Sequence, residues 1–162
     1  MADLNNAVTL SRDDQFLNIS IYEFENSDVA GLFSNNRYGE NIVFDNIISM
    51  IMIIEDCMNK NSFPQPMSNY RKLEIEEAEH HIKKKRSDDI GIRIPRLDIP
   101  KEWKSGKPLR TFRARIIFRT ISGWQGEIQC VDSGEELRFK SDMEFLMFII
   151  DNLNPEKREE TA

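Results

Sequence analysis

The sequence predicts an α+β protein: two pseudo-symmetric β-meander-plus-helix units forming an antiparallel sheet, with helices packed on one face. Three observations predict it. From Phe112 to Leu153 the chain spells strand, hairpin, strand, turn, short strand and capped helix. Sliding the sequence against itself by 95 positions aligns residues 17–59 with 112–154 without a gap, and ten pairs are identical, among them Gly31/Gly126, Gly39/Gly134 and Phe44/Phe139. Each aligned segment ends in a helix that is apolar nearly all round, so one sheet face covers only one side of it.

The same observations divide the chain. Residues 1–15 form a polar tail, 16–60 a first strand-strand-strand-helix unit and 61–110 a connector. Residues 111–155 form the second unit and 156–162 a C-terminal tail, with both units in one domain. At 162 residues and 40% hydrophobic content the chain is long enough to bury a core.

In the first unit Leu17, Ile19 and Ile21 alternate with Asn18, Ser20 and Tyr22, as in a strand with one buried face. The phase slips at Glu23-Phe24, where the apolar residue comes one place late, and a bulge there restores it. Asn26-Ser27-Asp28 turns the chain into a strand over Val29–Ser34, and a loop containing Gly39 leads to Ile42-Val43-Phe44. The helix from Ile47 to Met58 is the most apolar part of the protein.

The connector has a composition of its own. Phe63-Pro64-Gln65-Pro66 stops the helix. Residues 73–86 run from acidic to basic, as a helix dipole favours, with only Leu73, Ile75, Ala78 and Ile82 to pack. Over 90–100, Ile90, Ile92 and Ile94 alternate before Pro95 and Leu97 and Ile99 continue to Pro100, which suits an extended arm laid along a sheet edge or another surface. Lys101–Pro108 reads as a mostly polar loop.

In the second unit Phe112, Ala114, Ile116 and Phe118 take one strand face and the arginines between them the other. Ser122-Gly123 reverses the chain, and Trp124, Gly126, Ile128 and Cys130 alternate with Gln125, Glu127 and Gln129. Asp132-Ser133-Gly134 supplies a second tight turn before a brief strand at Leu137–Phe139. Ser141-Asp142-Met143-Glu144 matches a capping box, and the helix it opens runs to about Asn154, where Pro155 stops it.

Chemistry-bearing patterns are few. Glu77 shares a helix face with His80 at i,i+3 spacing and with His81 at i,i+4, both metal-ligand spacings, but further inward ligands are missing, and solvated side chains on a charged helix explain them more simply. No phosphate-cradling glycine loop and no nucleophile with a partner histidine is present. Cys57 and Cys130 read as buried thiols. These readings predict no catalytic residues, no metal site, no cofactor and no enzyme. The net charge of −6 argues against general nucleic-acid coating, and the apolar runs Met50–Ile54 and Phe145–Ile150 are far shorter than the roughly 20 residues that cross a bilayer. With no charged-then-apolar leader, a cytoplasmic protein without membrane contact is expected.

One surface is a candidate binding site. Arg113, Arg115 and Arg119 are predicted on a single strand face, joined by Arg138 from the third strand and Gln125 from the second. Forked guanidinium groups in a row can hold phosphates or carboxylates. The aligned positions of the first unit, Asn18, Ser20 and Phe24, do not repeat the arginines.

Phe112–Arg119, Gly123-Trp124-Gln125-Gly126, Leu137–Ser141 and Glu144-Phe145-Leu146 also carry a resemblance. The chain here resembles a small uncharacterised bacterial family with an arginine-bearing strand, a Trp-Gln-Gly hairpin strand and a Phe-Arg-Ser lead into an apolar helix. Gly123 and Cys130 stand where that family has serine and tryptophan. The resemblance implies the boundaries of the second unit and no activity.

The function expected from all this is a non-catalytic binding or regulatory module acting through protein contacts, with itself as a homodimer or with another protein. The alternative is nucleic-acid or nucleotide binding through the arginine face.

Overall fold

Alternation of apolar and polar residues produces the strands that the sequence predicts, and apolar runs bounded by caps produce the helices. The computed structural model describes residues 15–36, 41–61, 64, 96–120 and 123–156. Its elements are β1 (Phe16–Glu25), β2 (Asp28–Ser34), β3 (Ile42–Phe44), α1 (Ile47–Asn61), α2 (Lys101–Ser105), β4 (Arg110–Thr120), β5 (Gly123–Cys130), β6 (Glu136–Phe139) and α3 (Asp142–Leu153). The expected connector helix over 73–86, residues 90–95 of the arm, and Glu77, His80 and His81 lie outside the described residues.

All six strands form one antiparallel sheet in the order β3-β2-β1-β4-β5-β6. Each run of three consecutive strands is a meander, and β1 and β4 join them at the centre. Ile21 pairs with Gly31 and Ile116 with Gly126; Gly31 pairs in turn with Phe44 and Gly126 with Phe139. The registers of the two meanders thus run in step at a constant separation of 95 positions, and so do the starts of α1 and α3.

Both long helices lie over the same face of the sheet. Leu17, Ile19, Ile21, Phe33 and Phe44 from one meander and Phe112, Ala114, Ile116, Trp124 and Phe139 from the other form a single core with Met50, Ile53, Ile54 and Cys57 of α1 and Phe145, Ile149 and Leu153 of α3. Phe145 meets Trp124 and Phe139 edge-to-face, with ring centroids 5.8 and 5.2 Å apart. Each large side chain so buried contributes roughly 1.5–3 kcal/mol by removing apolar surface from water. Cys57 and Cys130 are buried in this core and are not joined in a disulfide.

Polar groups fix the helix starts. At α3 the Glu144 amide donates to Ser141 Oγ (3.2 Å), while the Glu144 carboxylate accepts from the Lys140 amide (2.7 Å). The capping pair therefore reaches one residue further back than the expected box, which would close on the Ser141 amide. At α1 an Asp28 oxygen accepts from the Ile47 amide (2.8 Å) and from the Val29 amide (2.9 Å), tying the start of β2 to the start of the helix. In the second meander the carboxylate comes from the helix instead: Asp142 accepts from the Trp124 amide.

Two expectations are corrected here. Lys101–Ser105, read as polar loop, is a short helix whose Trp103 is buried on the opposite face of the sheet, stacked on Tyr22 at 5.0 Å. Ile99 of the arm joins them, with Ala30, Leu32 and Val43. Five residues are too few to show a helical period, so only the burial of the indole reveals what this segment does.

The second correction concerns β4. The expected bulge in β1 is present, falling at Tyr22 between Ile21 and Glu23, and it returns Phe24 to the core face. A matching bulge at Ile117, between Ile116 and Phe118, was not expected. It shifts the alternation by one, so Phe118 turns out to solvent, 50% exposed, and Arg119 turns in to 5%.

Candidate functional site

The bulge at Ile117 divides the predicted arginine row. Arg113 and Arg115 stay on the outer face of β4, and Arg138 and Gln125 stand on the same face of β6 and β5. Arg119 does not join them. Its guanidinium lies under the other face, where Nε donates to the Pro64 carbonyl (2.6 Å) and Nη1 to Glu55 (3.1 Å) and Asn59 (2.8 Å) of α1. Glu55 also accepts from the Trp124 indole. Arg119 is a clamp between the second meander and the helix of the first, and its positive charge is unavailable to a ligand on the outer face.

The remaining side chains are held in set positions. The Arg113 guanidinium lies 3.8 Å from the centre of the Phe16 ring. Glu127 takes an ion pair from Arg115 at 3.2 Å and another from Arg138 at 3.1 Å, and Gln129 donates to Glu136 at 3.0 Å. Pairing register explains these contacts: Arg115, Glu127 and Arg138 stand in one row across the three strands, and Arg113, Gln129 and Glu136 in the next. Arg115 Nε is buried and makes no hydrogen bond.

Over these rows lies a hollow of about 480 Å³ lined by Phe16, Arg113, Glu127, Gln129, Glu136 and Arg138, with Ile128 and Leu137. Gln125 sits beyond its end, opposite Phe118 in the ladder. Phe16 and Glu136 were not among the sequence candidates. Phe16 reaches the site only because β1 pairs with β4, bringing it opposite Arg115, and no local pattern announces that pairing.

The far side of the helix layer is a second candidate. Ile48 is 72% exposed on α1, and Met143 and Met147 are 65% and 46% exposed on α3. Ile51, Met52, Leu146 and Ile150 beside them are half-buried. On each helix these residues recur at three- and four-residue spacing; Ile48, Met143 and Met147 face solvent, while Ile51 and Leu146 also pack against the core. The charged residues on these helices are mostly acidic: Glu55 and Asp56 against Lys60 on α1, and Asp142, Glu144 and Asp151 with no base on α3.

Among the described residues no group of three or more His, Cys, Asp or Glu side chains comes together, and no helix is long and apolar enough to cross a membrane. A scan against protein-family models finds no match, and comparisons with curated proteins and with solved structures find none.

Proposed function

We propose that this protein is a non-catalytic binding module built from two copies of one β-meander-plus-helix unit, and that it pairs with a second copy of itself through the outer faces of α1 and α3. The observation that carries the reading is the apolar stripe. Ile48, Ile51 and Met52 on α1 and Met143, Leu146 and Met147 on α3 stand at equivalent positions when the two units are aligned; Ile48, Met143 and Met147 are exposed, while Ile51 and Leu146 reach the core at the inner edge of the stripe. A surface that repeats itself about the centre of the molecule suits an isologous contact, in which each patch meets its own copy. Exposed apolar side chains at matching positions on two helices mark an interaction surface more often than ones scattered singly.

The duplication itself draws support from the matching registers, the two bulges and the two glycine-phenylalanine pairs. On that reading the dimer stacks four helices between two sheets, covering the side of each helix that its own sheet leaves open.

Size-exclusion chromatography with light scattering tests it. The wild type is expected at twice 19.0 kDa, and Ile48→Glu with Met147→Glu is expected at the monomer mass with an unchanged circular dichroism spectrum. A wild type that stays monomeric at high concentration overturns the reading.

A further inference from the structure

The hollow on the opposite face of the sheet takes no part in that dimer, and its chemistry points elsewhere. On an ordinary solvated antiparallel face, charges on neighbouring strands cancel in pairs. Here the row Arg115–Glu127–Arg138 sets two cations against one carboxylate, while the next row sets Arg113, whose guanidinium is stacked on Phe16, against Glu136. The corresponding half of the face over the first meander is covered by Ile99 and Trp103, whereas this half, among the described residues, holds the hollow. Its volume of about 480 Å³ lies inside the roughly 300–1,000 Å³ of small-molecule sites.

We infer that this hollow binds a phosphate ester of mononucleotide size with a flat ring. Arg138, which is exposed, and Arg113 supply the forked donors that suit a phosphate. The guanidinium-on-phenyl stack of Arg113 and Phe16 is a flat, cationic platform of the kind that takes an aromatic ring. Glu136 and Gln129 at the other edge can accept from and donate to ring amino and carbonyl groups. The two glutamates also set the ligand's charge. Glu127 and Glu136 balance Arg113 and Arg138 in the lining, and Arg115 behind Glu127 adds one positive charge, which suits a phosphomonoester and opposes a strand carrying one charge per nucleotide.

NMR titration of the wild-type protein with AMP, adenosine, inorganic phosphate and a short single-stranded oligonucleotide tests this, with the arginine Nε–H signals observed directly. AMP is expected to shift the signals of Arg113, Arg115 and Arg138 and to bind more tightly than either adenosine or phosphate alone. Arg113→Ala with Arg138→Ala is expected to weaken AMP by about tenfold or more, the loss of charge-assisted hydrogen bonds, with the melting temperature kept because both side chains are exposed. Ile48→Glu with Met147→Glu, which separates the proposed dimer, is expected to leave AMP binding unchanged. No response to AMP, or AMP binding that ignores the double replacement, overturns the inference. Phosphate binding as tightly as AMP would reduce the site to a bare oxyanion contact and overturn the flat-ring part. An oligonucleotide that binds more tightly than AMP with a steep salt dependence would make the face a nucleic-acid surface instead.

Discussion

Arg119 Nη1 lies 3.1 Å from Glu55 Oε2, joining the end of β4 to the middle of α1 across 64 residues of sequence. The two partners are unequally buried, with 6% of the arginine side chain exposed and 42% of the glutamate. Removing the partly exposed partner leaves a cation shut away from water with only Asn59 and the Pro64 carbonyl. Removing the arginine leaves a carboxylate that water can reach and that Trp124 still supports. Glu55→Ala is therefore expected to destabilise by about 3 kcal/mol and Arg119→Met by distinctly less. Urea denaturation of both variants checks the order; equal costs would show that the pair acts as a surface bridge.

Phe118 supplies a complementary prediction. By simple alternation it would share the core with Phe112 and Ile116, and truncation would cost about 3–5 kcal/mol. The bulge at Ile117 puts it in solvent, so Phe118→Thr is expected to change stability by no more than about 0.5 kcal/mol. A large loss on chemical denaturation would place the bulge elsewhere.

These two residues also mark where the sequence was legible. Strands, turns and both long helices follow local periods, which one sequence displays directly. The bulge in β4 does not, because Phe118 and Arg119 both fit an unbroken alternation. A usable signal was nevertheless present. The slip at Tyr22 in β1, carried forward 95 positions, falls at Ile117 and sets Arg119 opposite the inward-facing Phe24 in the alignment. The candidate site was half legible for the same reason. Arg113, Arg115 and Arg138 belong to one local meander, whereas Phe16 enters through the β1–β4 pairing, and Trp103 covers the first meander by a contact between segments far apart in sequence.

Cys57 links burial to pH. Its thiol is pushed up from 9.0 to about 11, first by desolvation in the core and then by the neighbouring Asp56, with Lys60 pulling the other way. Above pH 9 the unfolded chain loses this proton while the folded chain keeps it, so the stability difference falls as pH rises from about 9 to about 11 and levels off beyond. Relative to Cys57→Ala, the wild type is expected to lose on the order of 2 kcal/mol over that window. Parallel urea melts across that range would show it, and identical pH profiles for the two proteins would mean that the thiol ionises freely in the fold.

Salt offers a check on the proposed dimer that does not depend on mutation. Pairing α1 and α3 with their copies brings the exposed Glu144 and Asp151 of α3 toward a second set of like charges, while Lys60 on α1 is already tied to Asp56 at 2.8 Å. Like charges at the rim oppose association, and screening relieves them. The dimer is expected to tighten severalfold between about 0.01 and 0.15 M salt, where the screening length shrinks from ~30 to ~8 Å. Sedimentation equilibrium measures this directly, and weakening with salt would point to an interface held by ion pairs.

The last prediction concerns two glycines. A Cβ built on Gly31 would lie 2.0 Å from the Ser20 carbonyl oxygen, and one on Gly126 would lie 2.0 Å from that of Arg115. Each glycine pairs with the residue just before a bulge, and across its other edge each faces a buried phenylalanine, Phe44 or Phe139. The obstruction is backbone in both cases, so no side chain can rotate away from it. If the meanders are copies, the two positions fail for the same reason: Gly31→Ala and Gly126→Ala should each cost at least about 1–3 kcal/mol, by similar amounts. Phe44→Ala and Phe139→Ala should likewise match one another at about 3–5 kcal/mol. The comparison within each pair is the test, since unrelated meanders have no reason to respond alike. A Gly31→Ala variant of wild-type stability beside a collapsed Gly126→Ala would show that the matching registers do not extend to matching packing.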